Sequence, residues 1–147
     1  MDQNQPPSEP VTPPPVPPYP HQVSPTATGI PMDEVQRGKL FAVLSYGCNF
    51  IGLPFFIVPL VMRDNDFSLF HAKQTLMIVI MGLIAAIIAF VLTFFCIGVL
   101  LFPVIVIANW VFLIIGLINV SNNQAKTLPI IGGLAESWFS GIRKQQI

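Results

Sequence analysis

Charge is scarce in these 147 residues: seven Lys and Arg and seven Asp and Glu make up 10% of the chain. A soluble domain carries about 25%, so an ordinary water-soluble enzyme fits poorly. The charges cancel and form no basic run, so no nucleic-acid partner is expected, since that would need clustered Lys and Arg against phosphates. Cysteine is limited to Cys48 and Cys96, far apart, which excludes a disulfide-dense scaffold and a multi-thiolate metal site. Buried among apolar neighbours, both read as packing residues. Histidine is limited to His21 and His71, and His71 has no second His on its helix face, so no metal site is expected. No Ser-His-Asp set and no phosphate-cradling glycine loop is present. The expectation is a non-enzyme with no catalytic residue and no cofactor.

Hydrophobicity is what the chain has, at 53% of residues and a mean hydropathy of +0.70. It is unevenly spread. Residues 1–31 hold 11 of the 15 prolines. Proline removes backbone donors and fixes φ, so residues 1–37 read as a disordered tail sampling polyproline II. Pro14 to Tyr19 has PxxP spacing, but a solubilising linker is the favoured reading. The first basic residue is Arg37 and no apolar run precedes residue 40, so neither a signal nor a transit peptide is expected.

Residues 38–147 then read as a helical membrane domain. Leu40–Met62 has no charge in 23 residues, and about 20 apolar residues cross ~30 Å of hydrocarbon. Pro54 and Pro59 should kink or break its second half, with a re-entrant return over 54–62 as the alternative. Thr75–Ile118 is uncharged for 44 residues, twice the length one span needs, so it must fold back near Phe95–Pro103. The expected spans are 40–62, 75–94 and 100–120. In the linker before the second, Asp66 or Ser68 is the expected helix cap. Ile130, Ile131, Leu134, Trp138, Phe139 and Ile142 recur at helical spacing, which predicts an interfacial helix over 129–143 anchored by Trp138. The fold class is therefore all-α: three transmembrane helices, an amphipathic C-terminal helix and a proline-rich N-terminal tail.

Between helices in lipid, small side chains and hydrogen bonds select the packing faces. Gly82, Ala85, Ala86, Ala89 and Thr93 form one such stripe, Ala42, Ser45, Asn49 and Gly52 a second, and Asn109, Phe112, Gly116 and Asn119 a third. Asn49 and Asn109 should sit at similar depth and bond across the bundle. They read as structural glue, with a hydrated path as the alternative. No acid, base or His lies in a span core, so an ion- or proton-coupled pump has no relay. Phe70-His71-Ala72-Lys73-Gln74 is the most distinctive cluster. His71 and Gln74 share a helix face, Lys73 can snorkel to headgroups, and the group reads as an interfacial anchor.

Leu53-Pro54-Phe55-Phe56 with Pro59-Leu60, the short Arg63-Asp64 loop and the Phe-His-Ala-x-Gln cluster together resemble the Tic-twenty-like small membrane proteins over roughly residues 38–135. Lys126 to Gly132 looks like that family's closing segment. The resemblance implies a helical, prokaryotic inner-membrane protein, distantly similar to a channel component of chloroplast protein import. The plant component has four spans and a transit peptide, so the import role is not carried over.

Two function classes follow. One is a scaffold or accessory subunit binding lipid or other membrane proteins. The other is a homo-oligomeric channel or transporter subunit lined by Asn49, Gln74 and Asn109. With three spans, five cations lie on the side of the C-terminus and two on the other, which places the C-terminus in the cytoplasm.

Overall fold

The computed structural model describes residues 29–145. The expected disorder of the tail falls outside them up to residue 28. From Met32 the chain is already helical, so the boundary expected at residue 37 moves inward. Pro31 sits at the N-cap with its φ fixed, and Asp33 and Glu34 in the first turn favour the positive end of the helix. Among the described residues all regular structure is helical: α1 (Met32–Phe50), α2 (Ile57–Met62), α3 (Asp66–Leu92), α4 (Ile97–Ser121) and α5 (Ile131–Trp138), with a short 3-10 turn, Thr93–Phe95, between α3 and α4.

The first expected span, 40–62, is not one helix. α1 stops at Phe50, where Gly52 takes φ 78°. Leu53 N then donates to Cys48 O (2.9 Å) and Gly52 N to Asn49 O (3.1 Å), closing the last turn. Glycine adopts this left-handed conformation without a Cβ clash, and the residue ahead of Pro54 is driven out of the helical region. Gly52 is thus a helix stop and not part of a packing stripe. The chain then doubles back, with the Phe55 ring stacked on Phe41 at 6.2 Å. It returns to where α1 began, as Asn65 Nδ2 donates to Glu34 O (2.8 Å). The 51–62 segment is therefore a return arm, and α1 and α3 start at the same end of the molecule.

Asn65, not Asp66 or Ser68, caps α3. Its extended backbone lets its Oδ1 accept from Ser68 N at 2.9 Å, while Asp66 sits inside the first turn. α3 begins nine residues before the expected 75, since this cap and the Phe67, Leu69 and His71 packing extend it through the polar linker. α4 runs from Ile97 rather than 100, with Pro103 in its second turn. Cys96 makes the reversal in a left-handed conformation, φ 61°.

α3 and α4 are antiparallel neighbours. Gly82 lies against Asn109 and Gly98 against the Ala89 carbonyl. The segments Asp66–Phe95 and Ile97–Ser121 are long and apolar enough to cross a bilayer, with mean hydropathies of 3.0 and 2.6 over their most apolar windows. Only 22% and 11% of those windows are buried within the protein, so Leu83, Ile87, Phe90, Leu100 and Ile107 face outward. Water would not tolerate that surface, and lipid does. α1 is shorter. Phe50 meets Trp110 edge-on at 6.0 Å, 13 residues along α4 from its start, so α1 ends roughly 20 Å short of the α3–α4 turn at 1.5 Å per residue.

The packed core lies at the opposite end, where α1, α3, α4 and the C-terminal segment meet around Tyr46, Phe67, Met77 and Leu113. α5 spans eight residues instead of the expected 129–143. Ile130 takes φ 67° before it, Phe139 closes it, and 142–145 run without helix. α5 seats Ile131, Gly132 and Ala135, while Ile130 and Trp138 are exposed.

Candidate functional site

All twelve charged side chains among the described residues gather at one end. Glu34 pairs with Lys144, and Gln145 N donates to Arg63 O (2.9 Å), so the start of α1, the 63–66 loop and the C-terminal segment touch. Lys39 Nζ donates to Ser121 O (3.0 Å) and Asn123 Oδ1 (2.8 Å), joining the end of α4 to the same layer. The three-span expectation put Arg37 and Lys39 on the side away from the C-terminus. The return arm through Pro54 removes that separation, and all seven cations share one end.

The Glu34 carboxylate beside Lys144 holds its ammonium charged to higher pH than an ordinary lysine. The folded value is raised, so this contact stabilises the docked C-terminal segment below the ordinary value of 10.5 and is lost as pH climbs through the raised one. Limited proteolysis should cut residues 139–145 faster in strong alkali than at neutral pH. The Lys144→Gln chain should be cut modestly faster than the native chain at neutral pH and show less of that pH dependence.

Beneath this layer lies a buried polar latch. Gln74 and His71, both fully buried, face the 124–128 segment from α3. Gln74 Nε2 donates to Lys126 O (3.3 Å) and Gln74 Oε1 accepts from Leu128 N (3.1 Å). Asn119 Nδ2 donates to the same Lys126 carbonyl at 3.4 Å. His71 Nε2 lies 3.1 Å from Gln124 O, and a carbonyl only accepts, so Nε2 carries the proton. Its Nδ1, 3.3 Å from the Tyr46 hydroxyl, is then the acceptor and Tyr46 the donor. Phe67, Phe70 and Tyr46 surround the imidazole edge-on at 4.7, 5.3 and 5.8 Å. Every polar atom of the two side chains that reaches this segment is matched. That chemistry ties the 124–128 segment to α3 and α4.

The other singled-out residues are placed apart from this latch. Asn49 and Asn109 are half-buried at similar depth, and no hydrogen bond joins them; Asn109 instead faces Gly82. Ala86 is half-buried and Ala89 fully buried on α3, Lys73 is half-buried at the charged end, and Trp138 is exposed on α5. Gln74 is therefore not gathered with the two asparagines. The sequence reading missed Tyr46 and Asn65. A tyrosine inside an apolar run was the available signal, because a buried hydroxyl needs a partner.

A charged, polar end and two outward-facing apolar helices define a small integral membrane protein. The chain belongs to the magnetosome magnetite crystal formation protein family (MamF/MmsF), which it matches over residues 37–135, more than half its length. No curated protein and no solved structure matches it. The match corrects the Tic-twenty-like resemblance, and the import-channel similarity falls with it. Leu53–Phe56 and Phe70–Gln74, which carried that resemblance, build a turn and a helix-borne latch here.

Proposed function

We propose that the protein is a non-enzymatic accessory scaffold of the magnetosome membrane, acting from one membrane face on lipid or partner membrane proteins during magnetite crystal formation. The observation that carries this is the gathering of every described charge at one end. With seven cations there and none at the α3–α4 turn, that end belongs in the cytoplasm, with α1 and its return arm as a re-entrant hairpin packed against the two spans. Both ends of the described chain then share the cytoplasmic face. The opposite tip, Thr93–Ile97, offers no acidic group to a mineral, so an effect on crystals passes through partners. The channel reading has less support, because Gln74 is already bonded to the 126–128 backbone.

Cys96 at that tip is exposed and makes a native topology probe once Cys48 is replaced by Ser. A membrane-impermeant thiol reagent should label Cys96 only from the lumenal side, and a cysteine introduced at Ser140 only from the cytoplasmic side. Labelling of both from one side would sink the placement. For the role itself, native mass measurement in nanodiscs should find the chain in a larger complex. A free homo-oligomer that conducts ions would overturn the scaffold.

A further inference from the structure

A cavity of about 730 Å³ opens at the charged end, between the start of α3 and the C-terminal segment. Its walls carry three kinds of chemistry. Phe70 and Ile142 are apolar, Lys73 and Arg143 are cationic, and Asp66 and Glu136 are acidic. One carboxylate oxygen of Glu136 is buried with no hydrogen-bond partner. Lys73 is close enough to Glu136 to interact electrostatically, yet donates nothing to that oxygen. Lys144, also in the wall, is committed to Glu34. A buried, unmatched carboxylate oxygen is costly unless a donor reaches it. The volume is that of a small-molecule site.

We propose that this cavity holds the headgroup of an ethanolamine phospholipid, its ammonium on Glu136 and its phosphate on Lys73 and Arg143. A cation alone would satisfy the acids and leave the bases unmatched, and a free phosphate would do the reverse. A headgroup bearing both charges matches both walls, and Phe70 and Ile142 give its glycerol and first methylenes an apolar side. The ethanolamine ammonium has three N–H donors for the orphan oxygen. Its trimethylated counterpart, choline, has none. This deepens the lipid-binding part of the proposed function and rests on that reading for the placement of this end at the bilayer surface.

The test uses the full chain in mild detergent, with phosphatidylethanolamine and phosphatidylcholine of identical acyl chains offered at equal concentration and bound lipid counted by native mass spectrometry. Phosphatidylethanolamine should be retained about tenfold over phosphatidylcholine, the ratio expected for one charge-assisted hydrogen bond. Glu136→Gln should abolish most of that preference, and Arg143→Gln should lower retention of both lipids alike. Soluble glycerophosphoethanolamine should compete poorly, which separates a lipid from a free headgroup. Equal retention of the two lipids by the wild-type chain overturns the proposal while leaving the scaffold reading intact, and so does a preference that survives Glu136→Gln. Failure to retain any phospholipid overturns the proposal together with the lipid-binding reading. Should Glu136→Gln not fold, the wild-type comparison decides by itself.

Discussion

Replacing Gly98 with Val is expected to break the α3–α4 hairpin and strip the protein of its membrane-spanning unit. A Cβ at Gly98 would overlap the Ala89 carbonyl oxygen and the backbone of Thr93. Backbone atoms cannot rotate away as a flexible side chain can, so the helices must separate. Between helices in lipid, close packing is the main source of association, with no hydrophobic drive to replace it. Overpacking of this kind costs about 3 kcal/mol or more. Titration with a denaturing detergent, read by helix content, should show the transition shifted far toward low detergent. Gly47→Ala and Gly133→Ala serve as controls, because a Cβ there meets open space. Both lie in helices, so these changes should be neutral or gain up to about 1 kcal/mol from helix propensity. An unchanged Gly98→Val transition would show that the contact is not what holds the hairpin.

Replacing Gln74 with Leu is expected to release the 124–130 segment and α5 while leaving α3 and α4 in the membrane. The substitution removes both hydrogen bonds to the segment and strands the buried Leu128 N–H. A net hydrogen bond contributes about 1 kcal/mol, and a stranded buried donor costs about 1–3 kcal/mol, so roughly 3 kcal/mol is expected. The Lys126 carbonyl keeps Asn119 as a donor, which limits the loss on that side. Amide hydrogen exchange should show Leu128 losing protection by two orders of magnitude or so, while amides of the α3–α4 pair change little. Protection retained at Leu128 would mean that apolar packing of Leu128 and Ile131, and not the glutamine, docks the segment.

These two residues were legible in the sequence to different degrees. Gln74 stood out, and its position one turn from His71 was plain from spacing, but its partner was not. The partner is backbone, 52 to 54 residues away, and backbone groups carry no sequence signature. Gly98 lies inside the Phe95–Pro103 stretch expected to fold back, whereas the structure uses it as a contact surface for Ala89. The distinction lies in whether its neighbour is its own loop or the facing helix, which spacing does not encode. Asn49 and Asn109 illustrate the opposite case. Their similar depth followed from counting residues, yet helix rotation placed Gly82 beside Asn109 and no hydrogen bond between the two asparagines.

The sequence by itself determined that this is an all-helical membrane protein, that Thr75–Ile118 folds back as two spans, and that charge is confined to the flanks. Those follow from bulk properties: hydrocarbon thickness, the cost of buried charge and the rise of a helix. Only the tertiary structure decided that residues 40–62 double back, that both ends of the described chain meet, and that His71 and Gln74 are latches. Each depends on a long-range contact. Asn65 reaching Glu34, Lys144 reaching the same glutamate, and Gln74 reaching Lys126 select a path that the proline positions and hydropathy allowed only as the alternative.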